Sequence, residues 1–126
     1  MDIFSNTWIP KIEKAMNRSV AIQNVTAQNV SNVDTPNYKA KQVVFQDELD
    51  HAMQAKKTET RHLSFSGDHA EYHIINSTAG AIQSNGNNVD IDAQMTTLAQ
   101  NQIHYQALET AINHKFNQFK TVLGGN

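Results

Sequence analysis

The last third of the chain carries apolar and aromatic residues on a seven-residue step: Ile91, Leu98, Tyr105, Ile112 and Phe119. A second row, one helical turn on, holds Met95, Gln102, Glu109, Phe116 and Leu123. Rows offset by four and seven residues lie along one helical face, so the spacing predicts a helix over 90–123. At ~1.5 Å per residue such a helix is a rod about 50 Å long. Asn88 or Asp90 can cap its start, and Asp90 with Asp92 complements the positive end of its dipole. His114, Lys115 and Lys120 stand toward the other end, and Gly124-Gly125 stops the helix.

A second helical pattern runs from about residue 8 to 33. Ile9, Met16 and Val30 share one row, interrupted by Gln23. Ile12, Ser19, Thr26 and Val33 form another, with Ala15 and Ile22 between them. Thr7 or a polar neighbour can cap this helix, and Pro10 suits a first helical turn. Small side chains on this face permit close helix approach but bury little area each.

Between the helices no period is sustained. Val43-Val44-Phe45 reads as a short extended piece, and Leu49 with Met53 as a helical turn after it. Tyr72 and Ile74 alternating with His73 and Ile75 read as a short strand. Gly67-Asp68, Ala79-Gly80 and Asn85-Gly86-Asn87-Asn88 are turn signals, and residues 54–62 are polar and expected to be mobile.

The expected fold is therefore mainly α. Long amphipathic terminal helices pair antiparallel, and a largely irregular middle has room for a short β-hairpin. Residues 1–35 form an N-terminal assembly helix, 36–89 a polar middle segment, and 90–126 a heptad-patterned C-terminal assembly helix. Two long helices joined by a polar middle leave much of each helix facing water. This leans either toward helices that order only on assembly, with the termini disordered in the free subunit, or toward helices docked on other subunits. The alternative is a three- or four-helix bundle with its extra helices in the middle segment.

Composition narrows the chemistry. The 126 residues fit one domain, and the net charge of −2 with a pI near 6.3 gives no argument for nucleic acid or an anionic membrane. No small-molecule substrate is indicated. There is no cysteine, hence no disulfide and no thiolate metal site. No run approaches the ~20 apolar residues of a membrane span, and the N-terminus lacks the pattern of a cleaved signal peptide.

His69 and His73, with Asp68 and Glu71 nearby, have a four-residue spacing that would bring two metal ligands together on a helix. The local pattern is strand or loop instead, so no metal site is assigned. No Gly-x-Ser-x-Gly elbow or phosphate-binding glycine loop is present, and neither catalytic residues nor a cofactor are expected. His104 and His114 are read as flanking polar residues. Gln102 and Glu109, inside the stripe, either fix helix register or point into water where the stripe drifts.

The first helix ends in Asn29-Val30-Ser31-Asn32-Val33-Asp34-Thr35-Pro36-Asn37-Tyr38-Lys39-Ala40. Pro36 disfavours helical geometry at Thr35, and Asn37 accepts a left-handed backbone. By itself this is a well-made helix-to-loop corner. The stretch also resembles the Asn-x-Ala-Asn-x-x-Thr-Pro-Gly-Tyr signature of the bacterial flagellar basal body rod and hook proteins. Asn29, Asn32, Thr35, Pro36 and Tyr38 match, Ser31 replaces alanine, and Asn37 replaces glycine.

The chain is most similar to the family's proximal rod members. Tyr38-Lys39-Ala40-Lys41 and the later Asn85-Gly86-Asn87-Asn88-Val89-Asp90, Met95 and Tyr105-Gln106-Ala107-Leu108 carry that likeness. It covers roughly residues 10–50 and 83–124.

The resemblance implies a structural subunit, not an enzyme, exported through the flagellar type III apparatus without a cleaved signal. It would reside in the rod outside the inner membrane. Its implied partners are copies of itself, other rod proteins, and inner-membrane ring and rod adaptor proteins. Ile12, Met16, Ile22, Ile91, Met95, Leu98, Tyr105, Leu108, Ile112, Phe116 and Phe119 are the expected assembly interface. The competing reading is a small cytoplasmic helical adaptor or type III export chaperone.

Overall fold

In the computed structural model the described residues are 8–45, 47 and 72–124. They form helix α1 (Ile9–Ser31), strands β1 (Lys41–Phe45) and β2 (Tyr72–Asn76), and helix α2 (Ile91–Val122). The expected turn at Leu49 and Met53, the polar stretch 54–62, Gly67-Asp68 and His69 lie outside the described residues.

Helix α1 begins with Pro10 in its first turn and no side-chain cap bond at Trp8. It buries two adjacent faces. Arg18, Ala21, Val25 and Asn29, at steps of three and four, share one face. The Arg18 guanidinium lies 4.5 Å from the Phe45 ring centroid, and Asn29 bonds the backbone of Lys41. Strand β1 therefore runs back along α1. The second face carries Ser19, which meets Asn101 of α2.

Trp8 against Phe119 at one end and Asn29 against Gln94 at the other fix the helix pair as antiparallel. Strands β1 and β2 pair antiparallel with Val43 opposite Ile74 and Phe45 opposite Tyr72, giving the expected short ladder.

Helix α2 starts as its sequence dictates. The Asp90 carboxylate accepts from the backbone of Asp92 (3.0 Å) and Ala93 (3.1 Å), satisfying two otherwise orphaned N–H groups. Asn88 is engaged elsewhere. Gly124, at φ 88°, supplies the left-handed residue after the last turn.

The buried core is small and half polar. Ala21, Val25, Ala40, Phe45 and Val89 are its apolar members, and Ser19, Thr26, Asn29, Asn87, Asn88 and Asn101 its polar ones. Asn29, Ala40, Asn87, Asn88 and Val89 gather where the end of α1, the start of β1 and the approach to α2 converge, while Ser19 and Asn101 meet further along the helix pair.

Candidate assembly surface and its asparagine clasp

Buried amides are tolerated only when their donors and acceptors are matched, and three asparagines meet that condition at the corner of the fold. Asn29, 1 % exposed, donates from Nδ2 to the Lys41 carbonyl (2.7 Å) and to Gln94 Oε1 (3.0 Å). Its Oδ1 accepts from the Lys41 backbone (2.8 Å) and the Tyr38 hydroxyl (3.3 Å). One side chain thus joins α1, the following turn, β1 and α2.

Asn87 completes the corner from the other side of the sequence. Its Nδ2 donates to the carbonyls of Asn32 (2.9 Å) and Thr35 (2.8 Å), and its Oδ1 accepts from Val89 (2.7 Å). Asn88 accepts from the Ala40 backbone (2.6 Å) and donates to the Ser77 carbonyl (2.9 Å). Asn37 takes φ 59° and donates its N–H to the Asn85 carbonyl (2.9 Å). Thr35 bonds the Asn32 side chain (3.1 Å). Residues 29–41 and 77–90 therefore form one clasp, with Pro36 at its exposed tip. Burial raises the Tyr38 hydroxyl above the ordinary tyrosine range.

From the clasp the two helices run together along a mixed seam. Ser19 Oγ donates to Asn101 Oδ1 (2.7 Å), and Asn101 Nδ2 returns a bond to the Ser19 carbonyl (2.8 Å). At the far end Trp8 stacks on Phe119 with centroids 5.8 Å apart and meets Phe116 edge-on at 6.5 Å. Beside β1, Asp47 pairs with Arg18 (2.6 Å) and Lys14 (3.3 Å), which hold its carboxyl below the ordinary range.

The structure brings Leu98, Tyr105, Leu108, Ile112 and Phe119 onto the partly covered face of α2. Ile12, Met16 and Ile22 are likewise half-buried on α1. Ile91, Met95 and Phe116 remain exposed within the single chain, the last two by about half. The second predicted row thus flanks the seam instead of entering it. A seam alternates steps of three and four, so the rows that enter are 98, 105, 112 and 94, 101, 108. For the same reason Gln102 and Glu109 face water and Asn101 is the buried polar residue.

Asn87, Asn88, Asn101, Gln94 and Trp8 make contacts at this site that the sequence does not assign to them, and Ser19, already on the helical face by its row, adds a hydrogen bond there. Their available signal was a run of asparagines beside a glycine, and a polar triplet crossing the stripe. His73 is an exposed member of β2, and no three His, Cys, Asp or Glu side chains converge among the described residues.

The sequence model of the family described as "Flagella basal body rod protein" matches residues 13–39, spanning most of α1 and the first half of the clasp. Among curated proteins the chain is similar to flagellar basal body rod protein FlgB of Bacillus subtilis (strain 168). It is 50 % identical over 99 % of this chain and 98 % of that protein. It is 31 % identical to FlgB of Borreliella burgdorferi over 80 % of this chain and 84 % of that protein. With FlgB of Salmonella typhimurium it shares 29 % identity over 90 % of this chain and 91 % of that protein.

Proposed function

Because this chain belongs to the flagellar basal body rod protein family, it is a structural subunit of that rod, and we propose that it builds the proximal segment through its paired terminal helices. The observation that carries this reading is the one-sided cover of α2. Over its 32 residues only Asn101 is buried, while Ile91, Met95, Ile103 and Phe116 are exposed. Helices in proteins draw most of their stability from packing an apolar face, and in this reading the apolar residues left open along α2 find cover in neighbouring subunits.

In this reading the clasp fixes where the two helices leave the corner, and the seam fixes their register. Different faces of one subunit then meet different neighbours, as an open helical assembly requires. The assembled helices transmit torque and wall the export channel. Partners are copies of this chain, other rod proteins, and adaptor and ring proteins at the inner membrane. The subunit travels through the type III export apparatus without a cleaved signal and resides in the rod outside the inner membrane. Among the described residues no helix is long and apolar enough to cross a membrane.

The test is isolation of basal bodies from cells carrying the wild-type chain, Leu98→Asp or Ile112→Asp. The wild type co-purifies with the rod, and both variants are secreted but fail to incorporate. Retention in the cytoplasm as a stable monomer or closed dimer would favour an adaptor or chaperone. Normal motility in both variants would remove the helical seam from assembly.

A further inference from the structure

We propose that Asn85 is a chemical modification site: in the unfolded chain its side-chain amide is lost through a succinimide closed by the Gly86 nitrogen, and the folded clasp holds that reaction off.

Asn85-Gly86 is the chain's single Asn-Gly pair. Glycine has no Cβ to keep its backbone nitrogen away from the preceding side chain, so an unfolded Asn-Gly pair reaches the cyclising geometry readily. The clasp imposes this dipeptide. Gly86 has φ 80°, and a Cβ there would collide with the Asn37 side chain. Residue 86 is thus glycine on backbone grounds, and residue 85 inherits a labile neighbour.

The reaction needs only water. The Gly86 nitrogen gives up its proton and attacks Asn85 Cγ. An N–Cγ bond forms, the Cγ–Nδ2 bond breaks, and the amide nitrogen leaves as ammonia. Water then opens the ring. Attack at Cγ gives aspartate. Attack at the α-carbonyl gives isoaspartate, with the chain rerouted through the side chain and lengthened by one carbon. One water is consumed and one ammonia released.

In the folded chain each moving part is held. The Gly86 N–H donates to the Gln83 carbonyl (2.9 Å). Asn85 Oδ1 accepts from the Asn87 backbone (3.0 Å), fixing the side chain in an Asx turn. The Asn85 carbonyl accepts from Asn37 (2.9 Å). Asn85 is exposed, so water reaches it, yet cyclisation requires the clasp to open first. Isoaspartate at 85 would displace Gly86 from Asn37, so a chain that stays unfolded too long carries a lesion where it must close.

The full chain is incubated in native buffer and in concentrated urea at mildly alkaline pH, then digested, and Asn, Asp and isoaspartate are quantified at every asparagine. In urea, Asn85 converts ahead of all others. In native buffer it converts about tenfold more slowly or less. Gly86→Ala, tested in urea where folding plays no part, slows Asn85 to the rate of the other asparagines. Equal rates in buffer and urea would overturn the protection. Failure of Asn85 to lead in urea, or no effect of Gly86→Ala, would overturn the site itself.

Discussion

Ser19 and Asn101, 82 residues apart in sequence, exchange two hydrogen bonds across the helix pair and are both buried there. The pair is polar on both sides, so its value lies in matching. Asn101→Ala leaves the Ser19 hydroxyl without its partner in the seam, at a cost of about 1–3 kcal/mol. Ser19→Ala with Asn101→Leu removes both partners and returns stability close to wild type. Urea unfolding midpoints distinguish the cases. A double variant as weak as Asn101→Ala would mean that shape, not hydrogen bonding, sets the penalty.

The clasp predicts a sharp contrast among asparagines. Asn29→Ala or Asn87→Ala strands several backbone groups at once and is expected to cost about 3 kcal/mol. Asn24→Ala, at an exposed position on the same helix as Asn29, stays within about 0.5 kcal/mol of wild type. Equal effects at all three positions, measured by thermal or urea unfolding, would deny the clasp its role.

Much of the architecture was legible because local signals agreed with one another. Pro10, the apolar rows and the Asp90 cap placed both helices within about two residues of their observed ends. Val43–Phe45 and Tyr72–Ile75 marked the two strands. The left-handed turn at Asn37 followed from residue type alone.

The main row of the α2 seam was legible, with Leu98, Tyr105, Ile112 and Phe119 on the covered face, but the second row that joins it was not. Gln100, Asn101 and Gln102 are consecutive polar residues, and which one faces inward depends on a rotation smaller than one residue. Nor was the burial of Asn87 and Asn88. An asparagine run beside glycine reads as a solvated turn, and only docking against residues distant in sequence buries it.

Stability is expected to fall at both ends of the pH range through identified groups. Arg18 and Lys14 lower the Asp47 carboxyl in the folded state. Its contribution is therefore present above the ordinary aspartate value and lost as pH falls through the lowered one. Burial raises the Tyr38 hydroxyl, so its contribution is present below the ordinary tyrosine value and lost as pH rises. Asp47→Asn flattens the acid limb, and Tyr38→Phe the alkaline limb, in urea midpoints followed against pH. Because Asp47 is exposed, its effect shrinks with added salt, whereas that of Tyr38 does not. A salt-insensitive acid limb would reassign that slope to other groups.

If the proposed assembly holds, substitutions on the exposed flank of α2 separate folding from incorporation. Met95 is 50 % exposed and Ile103 is 69 % exposed, so neither contributes much to the isolated chain. Met95→Asp and Ile103→Asp are expected to leave the unfolding midpoint within about 0.5 kcal/mol of wild type. Leu98→Asp, on the covered face, is expected by contrast to lower it. On the proposed assembly the two flank variants are expected to be secreted and to fold, yet to be lost from isolated basal bodies, because a carboxylate placed against a neighbouring subunit would have no partner there. Incorporation at wild-type levels with normal swimming would confine the contact surface to the remaining faces of the helix pair.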